Sequence, residues 1–185
     1  MLQELMDAAD WISGQPALAA VSLDYRVKSE DSILLKYERY YPDHQARKVF
    51  NDILGFRAFC DDYKALLTLE NTNSQLDHST QPEKGGATGI TGKKIKIVDM
   101  TQGKANDDGY RGVHVYYQES NFHYPIEIQF NTFYDRQMNN WLHDFVYKHG
   151  YPNEVGKMML PLYECGKIKN IAEFKAELAV SRNCE

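Results

Sequence analysis

Cysteine is scarce in this chain of 185 residues, which contains Cys60, Cys165 and Cys184. The number is odd, the three are widely spaced, and no two form a CxxC pair. This pattern argues against a disulfide framework and against a cysteine zinc site. We therefore expect a protein of the reducing cytoplasm.

Long apolar runs and an excess of positive charge are also missing. The N-terminal segment MLQELMDAADWISGQ is acidic and amphipathic, without the basic segment and apolar run of a signal peptide, and no later stretch approaches a membrane span. The net charge of -5 provides no general attraction to nucleic acid or membranes, although it is compatible with a local basic patch. A polyanionic ligand must therefore be bound by a local cluster of cations.

Several common active-site motifs are absent. There is no GxxxxGK[ST] motif, no GxSxG motif and no protein-kinase signature set. The glycines of EKGGATGITGKK do not match a phosphate-binding loop and do not separate a clear strand from a helix. The sequence therefore argues against a P-loop enzyme, a protein kinase and a serine hydrolase of the GxSxG type.

Apolar residues make up 43% of the chain, enough to bury one core, so we expect a single domain over residues 1–185. Helical spacing predicts helices at 2–13, at 61–70, from Ser29 to Pro42 and at 132–148, with one or two short helices after Pro152. Strand-forming runs occupy 53–60, 94–100, 112–119 and 124–130, and the last two predict a hairpin. The polar, glycine-containing segment 71–92 predicts a mobile loop. Strands mixed with helices indicate an α/β or α+β fold.

One face of the last predicted strand is polar. Its apolar residues at 126, 128 and 130 point one way, while Glu127, Gln129 and Asn131 point the other. A carboxylate among apolar neighbours needs a partner, and the alternative is an edge-strand glutamate in water. Two carboxylates from separate strands can bind Mg²⁺ together with phosphate oxygens, and Asp52 is the second candidate.

Basic residues gather around the second predicted helix. Arg26 and Lys28 precede it, and Lys28, Ser32 and Lys36 are spaced four apart, so that they share a face. Such a face suits a triphosphate, although a solvated basic stripe on a surface helix has the same pattern.

Arg57 lies inside an apolar predicted strand, where it must pair with an acid, reach an exposed edge or bind an anion. In a plain strand, alternation would place Asp52 and Arg57 on opposite faces. A bulge at Gly55, or a position of Asp52 in the preceding turn, would place them together.

The segment DGYRGVH presents a tyrosine in a glycine-containing turn before a strand. An exposed Tyr110 can stack on a base, which contributes ~1–3 kcal/mol. Packing of the ring on the core is the alternative in a chain with thirteen tyrosines. His114 and His143 lack HxH or HxxxH spacing, so we interpret them as structural or hydrogen-bonding residues and predict no zinc site.

Five ordered blocks resemble the synthetase domain of the RelA/SpoT family, and the likeness covers about residues 24–149. The blocks are RVKSEDSILLK at 26–36, DILGFR at 52–57, DDGYRGVH at 107–114, EIQFNT at 127–132 and HDFVYK at 143–148. The resemblance implies an α+β, nucleotidyltransferase-like synthetase fold: a mixed, mostly antiparallel sheet of about five strands flanked by helices. It also implies Mg²⁺-dependent transfer of the β,γ-pyrophosphate of ATP to a ribose 3′-hydroxyl.

The resemblance also implies a role for each matching residue. Asp52 and Glu127 correspond to the catalytic, Mg²⁺-binding carboxylates, and Glu127 also to an acceptor of the hydroxyl proton. Tyr110 corresponds to the tyrosine that stacks on the acceptor base. The cations and the serine that match the ATP-binding set are Arg26, Lys28, Ser32, Lys36 and Arg57. Acceptor-side positions are Lys104, Arg111, His114, Gln129, Asn131 and His143.

Departures from the family pattern bear on the acceptor. Asn131 stands where the family block usually has an arginine, and the chain has no room for a hydrolase domain or a long regulatory region. Two enzymes are consistent with this: an alarmone synthetase that converts GDP or GTP to ppGpp or pppGpp in the stringent response, and a toxin that pyrophosphorylates the tRNA 3′-CCA end and is paired with an antitoxin. An inactive nucleotide-binding module is a third interpretation. The sequence is compatible with all three interpretations. It determines neither a homo-oligomeric state nor an allosteric activator.

Overall fold

The computed structural model describes residues 2–18, 21–41, 43, 50, 52–69, 94–104, 106–120 and 122–182. They belong to two compact units. The first is Met1–Val98 with Val113–Phe130, and the second is Asp99–Gly112 with Asn131–Glu185. The predicted mobile loop at 71–92 lies outside the described residues.

The first unit is built on a five-stranded sheet with the order β1-β2-β5-β4-β3. β1 is antiparallel to β2, and β4 is antiparallel to β5, which confirms the predicted hairpin and the α+β fold class. The strands are β1 (Ser22–Val27), β2 (Leu54–Phe59), β3 (Lys94–Asp99), β4 (Val113–Gln118) and β5 (Ile126–Asn131).

Two helices of the first unit follow the sequence prediction closely. α1 spans Leu2–Ser13, and α2 spans Glu30–Tyr40. The side chain of Ser29 caps α2 by accepting a hydrogen bond from the Ser32 backbone N–H, and the two acidic residues of the first turn favour the positive end of the helix dipole. A short 3₁₀ helix lies at Pro16–Leu18, and residues 64–69 are helical.

The core of the first unit lies on the apolar face of the sheet. α1 contributes Ala8, Trp11 and Ile12, which pack with the apolar side chains of β2, β4 and β5. Alternation along the strands therefore leaves their other side chains, including Glu127, on the opposite face. The sheet thus separates a hydrophobic core from a polar surface.

β1 was not predicted from the sequence. It is an edge strand, and two of its apolar side chains, Tyr25 and Val27, are 72% and 58% exposed. An edge strand that buries so little apolar surface needs no regular apolar pattern, so the periodicity that revealed the other strands is weak here.

The second unit is helical and has its own core. α3 spans Phe133–Phe145, a 3₁₀ turn follows at Tyr147–His149, and α4 (Asn153–Glu164) and α5 (Ile171–Arg182) complete it. As predicted, the helical segment stops at Gly150, which has a left-handed φ of 70°. The largest fully buried side chains of this core are Met138, Leu142, Met159, Ile168 and Phe174. None of the helices among the described residues has the length and apolarity needed to cross a membrane.

Gly55 permits the close approach of β2 to β5. A Cβ built at Gly55 would lie 2.1 Å from the backbone carbonyl oxygen of Glu127, well inside the contact distance. We predict that Gly55→Ala lowers the free energy of unfolding by about 3 kcal/mol or more, because backbone must move to accept the methyl group. Urea unfolding followed by circular dichroism measures this change.

Gly150→Ala is the matched control. Its added Cβ meets no atom within 4 Å, so the cost is that of the left-handed backbone, about 1–2 kcal/mol. Equal losses in the two variants would contradict the steric role of Gly55.

Candidate functional site

The polar face of the sheet brings predicted site residues together. In β4 and β5, Tyr116 lies opposite Glu127 and His114 lies opposite Gln129. Directly opposed residues of antiparallel strands project to the same side, so these four side chains share a face. Tyr116 was not predicted, although its spacing of two from His114 in a strand was a usable signal.

Glu127 is the centre of this face, and its side chain is only 6% exposed. Its Oε2 accepts hydrogen bonds from Arg26 Nη1 at 3.0 Å and from Gln129 Nε2 at 2.9 Å. Its Oε1 accepts one from the Tyr116 hydroxyl at 3.0 Å and lies 3.3 Å from His114 Nδ1. The carboxylate is therefore both buried and fully partnered.

These contacts determine the protonation of Glu127. Burial by itself raises the pKa of a carboxyl group, but here the hydrogen bond and charge of His114, the charge of Arg26 and the Tyr116 hydroxyl outweigh it. The pKa of Glu127 falls from 4.5 to about 2. Glu127 is consequently an anion throughout the physiological pH range.

Asp52 forms the second centre of charge. It lies in the turn before β2, and its carboxylate accepts hydrogen bonds from Lys28 Nζ at 2.7 Å and from Lys36 Nζ at 3.0 Å. All three side chains are between 13% and 22% exposed. Lys28, which lies between β1 and α2, and Lys36, on α2, therefore converge on one carboxylate.

Asp52 lies in the turn before β2, whereas Arg57 lies within that strand. The register between β1 and β2 runs without a bulge from Val27 opposite Leu54 to Ser22 opposite Phe59. Arg57 lies opposite Asp24, on the same face as Arg26, and is exposed. Asp52 precedes the strand, so strand alternation does not govern it. Ser32 lies in the first turn of α2, where its hydroxyl accepts a hydrogen bond from Ser29 Oγ at 2.8 Å.

The two carboxylates could hold a metal only with ligands from outside the chain. Among the described residues, no three histidine, cysteine, aspartate or glutamate side chains cluster into a metal site. Mg²⁺ is commonly bound by one or two carboxylates, with substrate phosphates and water completing its octahedral shell. Binding of Mg²⁺ by Asp52 and Glu127 therefore remains a prediction, in which phosphate oxygens and water would supply the other ligands.

In the second unit, the loop around Tyr110 carries three more of the predicted residues, Lys104, Tyr110 and Arg111. Lys104 Nζ lies 4.8 Å from the centroid of the Tyr110 ring and 3.1 Å from Asp108 Oδ2. Arg111 forms a bidentate pair with Asp107, at 2.8 and 3.1 Å, and the Arg111 side chain holds the pKa of that carboxyl below its usual value. Ion pairs between side chains of the loop therefore stabilise its conformation.

Asn131 and His143 occupy different environments in this unit. Asn131 is 1% exposed, and its Nδ2 donates to the Arg111 carbonyl oxygen at 2.9 Å and to the Tyr110 hydroxyl at 3.5 Å. His143 lies on the exposed surface of α3, with Nδ1 3.1 Å from Asp144 Oδ1. Contact of either residue with an acceptor remains a prediction.

Comparison with known proteins identifies the family. A family model described as "Region found in RelA / SpoT proteins" matches residues 25–151. The chain belongs to the RelA/SpoT family. No curated protein matches this family member.

Solved structures resemble this RelA/SpoT-family chain in fold. Small alarmone synthetase 1 from Bacillus subtilis, bound to its product pppGpp, is 18% identical with a TM-score of 0.58, over 98% of this chain and 92% of that one. A GTP pyrophosphokinase family protein from Streptococcus pneumoniae is 19% identical with a TM-score of 0.52, over 98% and 91% of the two chains. At these identities the likeness shows the fold.

The lowered pKa of Glu127 predicts a pH-dependent stability. The carboxylate stabilises the folded state fully above the unfolded pKa near 4.5, and this contribution is lost as the pH falls toward the folded pKa of about 2. The difference in unfolding free energy between the wild type and Glu127→Gln should therefore shrink by about 2 kcal/mol between about pH 5 and pH 3. Urea titrations at both pH values measure it, and a constant difference would contradict the assigned shift.

Proposed function

We propose that this chain transfers the β,γ-pyrophosphate group of ATP to the ribose 3′-hydroxyl of GDP or GTP, producing ppGpp or pppGpp in a Mg²⁺-dependent reaction. One observation carries the proposal. In a member of the RelA/SpoT family, a buried and ionised Glu127 is held by Arg26, while Asp52 is held by Lys28 and Lys36. The first unit thus contains both carboxylates that can bind a metal ion and cations that can bind a polyphosphate.

The donor side uses these ion pairs as exchangeable contacts. Bound ATP offers its phosphates to Lys28, Lys36 and Arg26, with Arg57 on the same sheet face as Arg26, and the lysines are thereby drawn from Asp52. Mg²⁺ held by Asp52, Glu127 and phosphate oxygens would neutralise the charge of the transferred group. The residues of the chain contribute position and electrostatics, which supply most of the catalysis in phosphoryl transfer.

The acceptor side is assigned to the loop of the second unit. Tyr110 offers a ring for a base, and Lys104 covers one face of that ring. We assign the opposite face to the acceptor base, because base stacking on an aromatic side chain tolerates a cation on the other side. The resemblance also assigns His114 and Gln129, which lie beside Glu127 in the first unit, to acceptor binding.

A tRNA 3′ end is the second candidate acceptor, with an antitoxin as the expected partner of such an enzyme. Lys94 and Lys96 are exposed on β3, which is an edge strand, and two cations on one edge favour contact with a phosphate backbone. The net charge of -5 provides no further attraction of this kind. The guanosine nucleotide is therefore the acceptor that we propose first.

The proposal predicts loss of transfer in Glu127→Gln, which keeps the size of the side chain and removes its charge. We expect turnover to fall by at least about 100-fold, because the negative charge proposed to bind the metal ion and to accept the hydroxyl proton is lost. The measurement incubates the protein with γ-³²P-labelled ATP and Mg²⁺, offers GDP, GTP and deacylated tRNA separately, and follows the label.

Glu119→Gln is the matched control, since its carboxylate accepts a hydrogen bond from the Tyr117 hydroxyl and lies outside the proposed machinery. Label in tRNA alone would select the second candidate. Label in no acceptor, or normal turnover in Glu127→Gln, would refute the proposed function.

Substitution of Tyr110 should weaken acceptor binding and leave ATP binding unchanged. Loss of a stacking contact worth ~1–3 kcal/mol should raise the KM for the acceptor between about fivefold and 100-fold in Tyr110→Ala. The KM for ATP should remain unchanged. Tyr110→Phe keeps the ring and is expected to behave as the wild type in both respects. Steady-state kinetics with each substrate varied in turn decide the point, and equal effects on both constants would make Tyr110 a structural residue.

A further inference from the structure

The loop that carries Tyr110 is held by side chains that the proposed reaction does not use. Within the loop, Asp107 accepts a hydrogen bond from the Gly109 backbone at 3.1 Å, and Asp108 accepts one from the Tyr110 backbone at 3.1 Å. These local contacts shape the turn. They do not attach it to the rest of the second unit, and that attachment comes from Asn131, α3, the 3₁₀ turn and α4.

Asn139 provides the first attachment. This residue of α3 is 5% exposed, and its amide meets both polar groups of the Arg111 backbone. Its Nδ2 donates to the Arg111 carbonyl oxygen at 2.7 Å, and its Oδ1 accepts from the Arg111 N–H at 3.2 Å. A buried amide whose donor and acceptor both bind the backbone of one residue fixes the position and the orientation of that residue. That residue, Arg111, immediately follows Tyr110.

Tyr147 provides the second attachment, on the other side of Tyr110. Its hydroxyl donates to the Asp108 carbonyl oxygen at 2.9 Å. Burial raises the pKa of Tyr147, so that the phenol keeps its proton and remains a donor. Asn139 and Tyr147 therefore hold the backbone on both sides of the stacking residue.

Two glycines bring the loop against α4. A Cβ at Gly109, which has φ +84°, would lie 2.4 Å from the Gly156 carbonyl oxygen. A Cβ at Gly156 would lie 1.9 Å from the Asp108 carbonyl oxygen. The backbone of the loop therefore touches the backbone of the helix directly, which leaves little freedom for the loop to shift.

We propose that Asn139 and Tyr147 are positioning residues for the acceptor base: they hold the backbone at Asp108 and Arg111 so that the Tyr110 ring is presented in one orientation. The inference rests on the proposed function, because it takes the acceptor to stack on Tyr110. It adds two residues on α3 and the 3₁₀ turn to the determinants of acceptor binding. Neither residue touches the acceptor in this scheme.

Matched variants test the inference in the full chain. Tyr147→Phe removes one hydroxyl, and Tyr163→Phe is its control, because the Tyr163 hydroxyl donates to the Tyr134 carbonyl oxygen in the same unit and away from the loop. Asn139→Ala removes the buried amide, and Asn140→Ala changes its exposed neighbour in α3. Should Asn139→Ala fail to fold, the tyrosine pair still decides.

Two measurements are made on each variant: the KM for GDP and for ATP, and amide hydrogen exchange of the segment 107–112 by mass spectrometry. We expect Tyr147→Phe to raise the KM for GDP about fivefold and Asn139→Ala to raise it about tenfold or more, with the KM for ATP unchanged and faster exchange in the segment. Both controls should match the wild type in these readouts.

The outcomes separate this inference from the proposed function. If the wild type transfers label to GDP but Tyr147→Phe and Asn139→Ala match their controls, or raise both KM values equally, the positioning role is refuted alone. If the wild type transfers label to no acceptor, the proposed function fails. Calorimetric measurement of GDP binding then decides. Weaker GDP binding in Tyr147→Phe and Asn139→Ala, but not in their controls, supports the positioning role. Equal binding in all variants, or no binding by the wild type, overturns the positioning role.

Discussion

The buried carboxylate of Glu127 is the constraint on which the sheet's polar face depends. An ion with 6% of its side chain exposed loses most of its hydration, a penalty of several kcal/mol that must be offset by partners. The strand order supplies them, because β5 lies between β2 and β4 and the face is extended by β1. Arg26 comes from β1, and His114 and Tyr116 come from β4. The topology is therefore also the reason why Glu127 remains ionised.

The two charged centres differ in how many partners hold them. Asp52 is paired with two lysines, and all three side chains are only 13–22% exposed, so removal of one partner would leave a charge that has lost most of its hydration. In the proposed reaction, a phosphate or a metal ion would take the place of the partner that leaves. Glu127 has four neighbours, so the loss of one contact would leave three in place.

In the second unit, the loop around Tyr110 also depends on specific hydrogen-bond partners. A loop carries unpaired backbone groups, and these must be satisfied wherever the loop is packed against the rest of the protein. Asn131 and Asn139 satisfy the Arg111 carbonyl, and Tyr147 satisfies the Asp108 carbonyl. Binding residues on loops need this kind of rigid support. Asn131 illustrates the point, since its buried amide is used inside the protein.

Several features of the polar face and of α2 were predictable because their signals are local. Alternation in β5 identified the polar side of Glu127, the serine cap located α2, and the ordered blocks led to the RelA/SpoT family, which the match over residues 25–151 confirms. The position of Asp52 was left between a bulge and a turn, and the structure places it in the turn before β2.

The sequence by itself determined the secondary-structure elements with strong periodicity, the fold class and the types of charged residue available. The tertiary structure alone decided which charges meet: Arg26 with Glu127 across 101 residues, and Arg111 with Asn139 across 28. It also revealed β1 and the contacts of Tyr116, Tyr147 and Gly156. The physical reason is that periodicity reports burial along one element, whereas hydrogen bonds and close backbone contacts depend on how distant elements pack together.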